Sequence, residues 1–177
     1  MNQSAPPTPR PLTPDDVTLY AALRREMLLD APWAFCSGPD DPGAGGADEA
    51  LILQRLAQPE TTTFVIEDGP RLVASATVIR LDRRKLRHRA EIVAVYVTPS
   101  HRNRGLGRAV LTAAIQQAKA WQGVESIALS ASSNSPAAIA LYESLGFVVW
   151  GREPGAMRVG DHTYDEVHLQ LALTASP

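Results

Sequence analysis

Cysteine is nearly missing from this chain. Cys36 is the only one in 177 residues, so no disulfide can close within it and a reducing compartment is expected. Long hydrophobic runs are missing too: none approaches a membrane span. The opening MNQSAPPTPRP has no apolar core of a signal peptide. These absences point to a cytoplasmic protein without a membrane partner. An excess of one charge is also lacking. Lys and Arg number 17 against 19 Asp and Glu, net −2, which argues against bulk nucleic-acid binding. No internal repeat and no second domain is evident. What is present is ordinary globular composition, 45% hydrophobic and 20% charged, in a chain long enough for one well-filled core.

The chain is organised around residues 89–122. Ala90–Val97 is apolar and rich in β-branched residues (Ile92, Val93, Val95, Val97, with Tyr96), as suits a buried strand. Pro99 has no N–H to donate and ends the ladder. From Leu106 apolar residues recur at Val110, Ala114, Ala118 and Trp121, one face of a helix. Between strand and helix lies Arg102-Asn103-Arg104-Gly105-Leu106-Gly107-Arg108. The first turn of a helix has unpaired N–H groups and partial positive charge, so such a loop receives phosphate. The two glycines let backbone approach a ligand, and three arginines add charge. A P-loop would need Gly-Lys-Ser/Thr, and a dinucleotide fingerprint a third glycine where Val110 stands.

Arg102, Gly105 and Gly107 match Arg/Gln-x-x-Gly-x-Gly/Ala, and the stretch resembles the central motif of the GNAT superfamily of acyl-CoA N-acyltransferases. A second string resembles the same family: Asn134, Ala137, Ala138, Leu141, Tyr142, Glu143, then Leu145-Gly146-Phe147. Together the resemblance covers about Arg10 to Leu173. It implies a single α/β domain of the α+β type, with a mixed, mostly antiparallel sheet flanked by helices and a splayed central strand. It also implies acetyl-CoA as cosubstrate and a primary amine as acceptor. A small molecule leads, with a protein N-terminus or lysine second. A catalytically silent acyl-CoA-binding module is the alternative from another class, and a nucleotide-binding regulator the third. Dimerisation is common in the family, so a homodimer is left open.

In chain order, residues 1–9 read as a flexible tail and 10–174 as the domain. Arg10–Leu12 reads as a strand, Thr13-Pro14-Asp15-Asp16 as a helix start, and Leu19, Leu23 and Met27 as the face of a helix ending near Asp30. Trp33 and Phe35 follow; they pack in the core or, as in the family, touch substrate. Residues 37–47 are Gly/Pro/Asp loop, and Asp48 can cap a helix over Glu49–Leu56. Cys36 reads as inert, with no basic partner to assign. Two β-rich runs, Thr62–Glu67 and Leu72–Leu81, flank the turn Asp68-Gly69-Pro70. Where the family places glycine in the second strand, Ala74-Ser75-Ala76 stands. Residues 80–89, with six basic side chains, read as an exposed loop, either a solvated turn or a patch for an acidic acceptor or a nucleotide 3′-phosphate. Ser126–Ser130 is a short strand. Ser135 and Pro136 suit a helix start, Gly146 a left-handed stop. Phe147–Gly151 and Val167–Leu173 are strands, joined through Pro154–Asp165.

The resemblance makes backbone N–H groups near Val95, Tyr96 and Val97 the oxyanion donors. A sheet interior would consume them, so a bulge or splay is expected at Ala94–Val95. Residues Arg102 to Arg108 would hold the diphosphate; Asn134 would hold the pantetheine or stabilise the helix start, and Ala137 would bind the cofactor. Glu91 is the candidate base, because Ala-Glu-Ile-Val resembles the strand carrying a catalytic Glu in several members. Strand alternation puts Glu91, Val93, Val95 and Val97 on one face. Four residues at roughly 3.3 Å each leave about 13 Å to Val95, so a water relay is expected; the alternative is a structural partner of the arginine cluster. A lysine-like amine, pKa about 10.4, costs roughly 4–5 kcal/mol to deprotonate at pH 7, an α-amino group near 8 only about 1. Tyr142 matches the family's tyrosine near the sulfur, where it can donate to the departing thiolate or sit in the core with a satisfied hydroxyl. His101 is expected to pack. His162 and His168 look too scattered for a metal, and none is expected. Asp165 and Glu166 could line the acceptor pocket and bind an ammonium, or be surface acids.

Overall fold

The structure, a computed structural model, describes residues 8–41 and 46–173. Residues 1–7, 42–45 and 174–177, which include most of the expected tail, the middle of the 37–47 loop and the last residue of the expected domain, lie outside them. Strand β1 (Arg10–Pro11) leads through a short 3-10 turn into α1 (Val17–Asp30). The Asp16 carboxylate accepts from the Thr13 N–H at 2.9 Å and from the Thr13 hydroxyl at 2.8 Å, closing the helix start. Helix α2 (Glu49–Leu56) begins as its sequence suggests, with the Asp48 carboxylate accepting from Leu51 N–H at 3.0 Å. Then come β2 (Thr61–Asp68), β3 (Arg71–Arg80), β4 (Arg89–Val97), α3 (Leu106–Ala120), β5 (Ser126–Ser132), α4 (Pro136–Ser144), β6 (Val148–Val159) and β7 (His162–Ala172).

One sheet runs β1-β2-β3-β4-β5-β7-β6. Neighbours are antiparallel except β4 and β5, which the α3 crossover makes parallel. The sheet buries both faces. Ile66, Val78, Ile92, Ile127 and Leu169 point toward α3 and α4, where Val110, Leu111, Ala114 and Phe147 meet them. The other face puts Val65, Leu72 and Tyr96 against Tyr20, Leu23 and Met27 of α1 and Ile52 of α2. Each such side chain contributes about 1.5–3 kcal/mol on burial. No helix among the described residues is long and apolar enough to cross a membrane.

Three expectations are corrected. Residues 154–165 do not form a connection: β6 and β7 continue through them as a hairpin turning at Gly160, whose φ is +59°. Pro154 is tolerated because β6 is the sheet edge and the register shifts between Glu153 and Met157. Residues 80–89 are not all exposed loop. The Arg80 side chain, 12% exposed, donates to Glu60 at 2.7 Å and to the carbonyls of Arg87 and Gln122 at 2.8 and 2.9 Å. Arg87 also reaches Glu60, at 2.6 Å. The cluster's acid is therefore Glu60, not Glu91. Finally, Ser135 holds the start of α4 through its carbonyl, which accepts from Ala138 and Ile139 N–H, and its side chain makes no capping bond.

Candidate active site

The strand–loop–helix unit sits at the mouth of a cavity of about 1040 Å³. It runs from the 102–108 loop beneath the start of α4, along β4, to Trp33–Ser37. Its roof opens because β4 and β5 pair only at Arg89–Ser126, Ala90–Ile127 and Glu91–Ala128. Beyond that they part, and the β4 edge is left open.

A bulge decides which β4 groups face this opening. Thr77 pairs with Val93 but Ser75 pairs with Tyr96, so β4 carries one extra residue. Ala94 takes φ +55°, a left-handed conformation costly for a residue with a Cβ. The Ser75 hydroxyl donates to the Ala94 carbonyl at 3.0 Å and pins it, which gives the small residue of β3 a use. Past the bulge, Thr98 N–H donates to Val73 at 2.9 Å, so alternation turns the Val97 and Val95 amides away from β3 toward the opening. The Val97 carbonyl confirms the direction by accepting from Arg102 Nε at 3.1 Å.

The same bulge overturns the expected common face of Glu91, Val93, Val95 and Val97. Val95 and Val97 pack with Ile92 on the α3 side, Ala94 and Tyr96 on the α1 side. One inserted residue reverses the parity, so Glu91 and Val95 lie on opposite faces. Glu91 is half-buried and does not line the cavity, whereas Val93, Ala94 and Val95 do. Tyr96 spends its backbone on Ser75 and its hydroxyl on Glu26 and Asp30, each at 3.2 Å. Burial, with those carboxylates beside it, holds that phenol well above its usual range.

In the loop, Asn103 and Gly105 are left-handed, at φ +61° and +79°. Among the described residues no hydrogen bond consumes the N–H groups of 103–108, and the first helical bond runs from Ala109 N–H to Gly105 at 3.0 Å. The two glycines serve different needs. Gly105 is required for its φ, with open space about it, while a Cβ on Gly107 would meet Leu141 Cδ2 at 3.2 Å. Leu106 is core, so only its amide is offered. The arginines differ as well. Arg102 pairs with Asp30 and lies 5.7 Å over the Tyr96 ring; Arg108 donates to Ser144 Oγ at 2.6 Å. Arg104 is exposed and has no partner among the described residues.

Asn134 and Ala137, both exposed, line the cavity with Leu141 and Tyr142. The Asn134 side chain does not cap α4, since Ser135 occupies that place. Tyr142 is 5% exposed, stands edge-on to Phe147 at 6.2 Å, and its hydroxyl has no partner among the described residues. Burial pushes its pKa up to about 12, so it is protonated throughout any neutral working range.

The far end is made of side chains. Trp33, Phe35 and Cys36 form one wall, with Trp33 tilted against Tyr164 at 6.4 Å. Arg24 and Arg55 line it too. Burial lowers the Arg24 pKa; Tyr20 and, less, Cys36 oppose this, and Arg55 adds to it. Glu166 lines the cavity and accepts from Ser130 Oγ at 2.6 Å. Asp165 instead binds Gly155 N–H at 3.0 Å and Arg152 at 3.4 Å. His168 is not scattered: its donor atom and those of Glu153 and Glu166 lie within 4.8 Å of one another. His101 does more than pack, bonding Thr98 and Ser100 at 2.9 Å and Asp68 at 3.0 Å.

Comparison with known proteins bears on the family and the fold. The model of the acetyltransferase (GNAT) family matches residues 23–147. A mycothiol acetyltransferase of Salinispora tropica is 27% identical over 155 residues, 81% of this chain and 48% of that protein. One from Kocuria rhizophila is 43% identical over 60 residues, 34% of this chain and 20% of that protein. This chain thus spans half or less of the length of the curated relatives it matches. Among solved structures, a GNAT-family acetyltransferase from Streptococcus pneumoniae has TM-score 0.81 and 18% identity, covering 93% of this chain and 98% of that one. A phosphinothricin acetyltransferase from Sinorhizobium meliloti, in complex with acetyl-CoA, has TM-score 0.78 and 20% identity over 97% and 92%. These two likenesses concern the fold.

Proposed function

The chain belongs to the acetyltransferase (GNAT) family, and from that premise we propose that it moves acetyl from acetyl-CoA to a primary amine of a small molecule by direct attack within a ternary complex. Bound acetyl-CoA supplies the electrophilic thioester carbon and a thiolate leaving group. The amides of residues 103–108, with Arg104, grip the diphosphate. Asn134 and Ala137 border the pantetheine along the open edge of β4. Val95 and Val97 donate their N–H groups to the carbonyl oxygen as charge builds on it, the kind of preorganised pair that is worth several kcal/mol in a dry site.

Tyr142 donates a hydrogen bond to the leaving sulfur. Outright proton transfer from a phenol at about 12 to a thiolate near 8.5 would run uphill by about 5 kcal/mol. Tyr142 therefore steadies the thiolate and keeps its proton. The observation that supports the reading most is the bulge at Ala94, which turns amides a sheet would have consumed toward the cavity. Release of CoA thiol, followed over benzylamine, glycinamide, spermidine and an alanyl peptide, tests it. At least one of the first three should release CoA faster than the peptide. Calorimetry that finds no CoA binding would end the reading, and preference for the peptide would replace the small-molecule acceptor.

A further inference from the structure

We propose that Glu166 is the group that takes the proton from the attacking amine; the inference rests on the acetyltransferase reading above. Glu166 stands on β7 opposite Ser132, beyond the last β4–β5 pair at Glu91–Ala128, and so level with the opening. Its strand neighbours Val167 and Leu169 face α3 and α4. Alternation therefore turns Glu166 to the other side of the sheet with Tyr164, which meets Trp33. That is the acceptor end of the cavity, and Glu166 lines it while Glu91 does not. β7 lies two strands from β4, at least about 10 Å to the side and further where β4 and β5 have parted, a gap that the acceptor's own length has to bridge.

Ser130 is the positioning residue. Its hydroxyl donates to one carboxylate oxygen of Glu166 at 2.6 Å, which fixes the rotamer and leaves the other oxygen to accept from the amine. Glu153 and His168, linked at 3.3 Å, adjoin Glu166 on the edge side and join it to solvent through the exposed β6 strand. The other ionisable groups that line the cavity are Arg24, Cys36 and Arg55, with Asp30, Tyr96, His101, Arg102, Arg108 and Tyr142. The step balances as follows. The acceptor's ammonium gives one N–H proton to Glu166, and the nitrogen so freed bonds to the thioester carbon. The C–S bond breaks, sulfur leaves as thiolate toward the Tyr142 hydroxyl, and the thiolate takes the second proton that the nitrogen loses as the amide forms. Glu166 then returns the proton to solvent past Glu153 and His168.

The test is Glu166→Gln, assayed from pH 6 to 10 with whichever of the four panel amines releases CoA fastest. At pH 7, kcat should fall about 10²-fold, the lower end for a lost general base, with KM within threefold. The deficit should shrink as pH rises past the pKa of the amine, where free amine no longer needs a base. Ser130→Ala should show the same pH signature in weaker form, about fivefold, and Glu91→Gln a smaller loss than Glu166→Gln. A deficit constant over pH, a change confined to KM, or an equal loss in Glu91→Gln would overturn the assignment. Should Glu166→Gln not fold, an unaltered pH profile in Ser130→Ala does the same. Failure of the wild-type protein to bind CoA would count against the acetyltransferase reading instead.

Discussion

The two ends of the cavity are built from different materials. At the end that we assign to the cofactor the groups on offer are backbone: the N–H groups of residues 103–108, and those of Val95 and Val97 turned outward by the Ala94 bulge. Side chains there mostly serve the backbone, as Ser75 does in holding Ala94. At the end that we assign to the acceptor the lining is side chains, Trp33, Phe35 and Glu166, with Tyr164 against Trp33, carried by a 3-10 turn and an edge hairpin. A ligand fragment common to a whole family can be held by main chain, which any sequence with the right glycines supplies. A variable acceptor calls for replaceable side chains.

Substitutions can break this contrast, beginning where the effect is largest. Gly105→Val forces a β-branched residue to φ +79° and should weaken CoA binding by at least 10²-fold in calorimetry, about 3 kcal/mol. Tyr142→Phe should lower kcat by about 30-fold while leaving the CoA Kd within threefold, since only the developing thiolate loses a donor. No limb from Tyr142 ionisation should show in the wild-type pH profile below about pH 11, given burial that raises the phenol to about 12. Arg104→Ala should weaken CoA about tenfold, the value of one charge-assisted bond. Trp33→Ala should act on the other side only, raising the KM of the amine about fivefold with CoA affinity unmoved. If Trp33→Ala weakened CoA as much as Arg104→Ala, the division into two ends would fail.

An effect of another kind, on stability alone, belongs far from both ends. Arg10 donates to Asp16 at 2.7 Å and depresses its carboxyl well below the usual range. A depressed carboxyl stabilises the fold above its unfolded pKa, near 3.9, and that stabilisation is lost as pH falls through the folded value. Thermal melting should thus show Asp16→Asn costing about 2 kcal/mol at pH 7 and progressively less below pH 4.

Local residue types made the cofactor end legible. Gly105 and Gly107 beside an apolar strand, with Pro99 between, point to a strand, a loop and a helix start whose amides are free. The bulge could be expected as well, because donors needed in mid-sheet must be withheld from the ladder. Its consequence for side-chain parity was not legible, since one inserted residue leaves no mark on a run such as Ile92-Val93-Ala94-Val95. The β6–β7 hairpin was missed for a related reason. Pro154 and the glycines at 151, 155 and 160 imitate a loop, and only the place of β6 at the sheet edge lets a strand absorb them.

By itself the sequence determined the family, the order of elements and the loop whose amides are left free, because each depends on backbone preferences set within a few residues. Tertiary structure alone decided that Glu166 enters the cavity while Glu91 stays off its wall. Both are single carboxylates in alternating strands. What separates them is the pairing of distant strands, the splay of β4 from β5 and the turn that brings Trp33 to Tyr164, none of which a local pattern encodes.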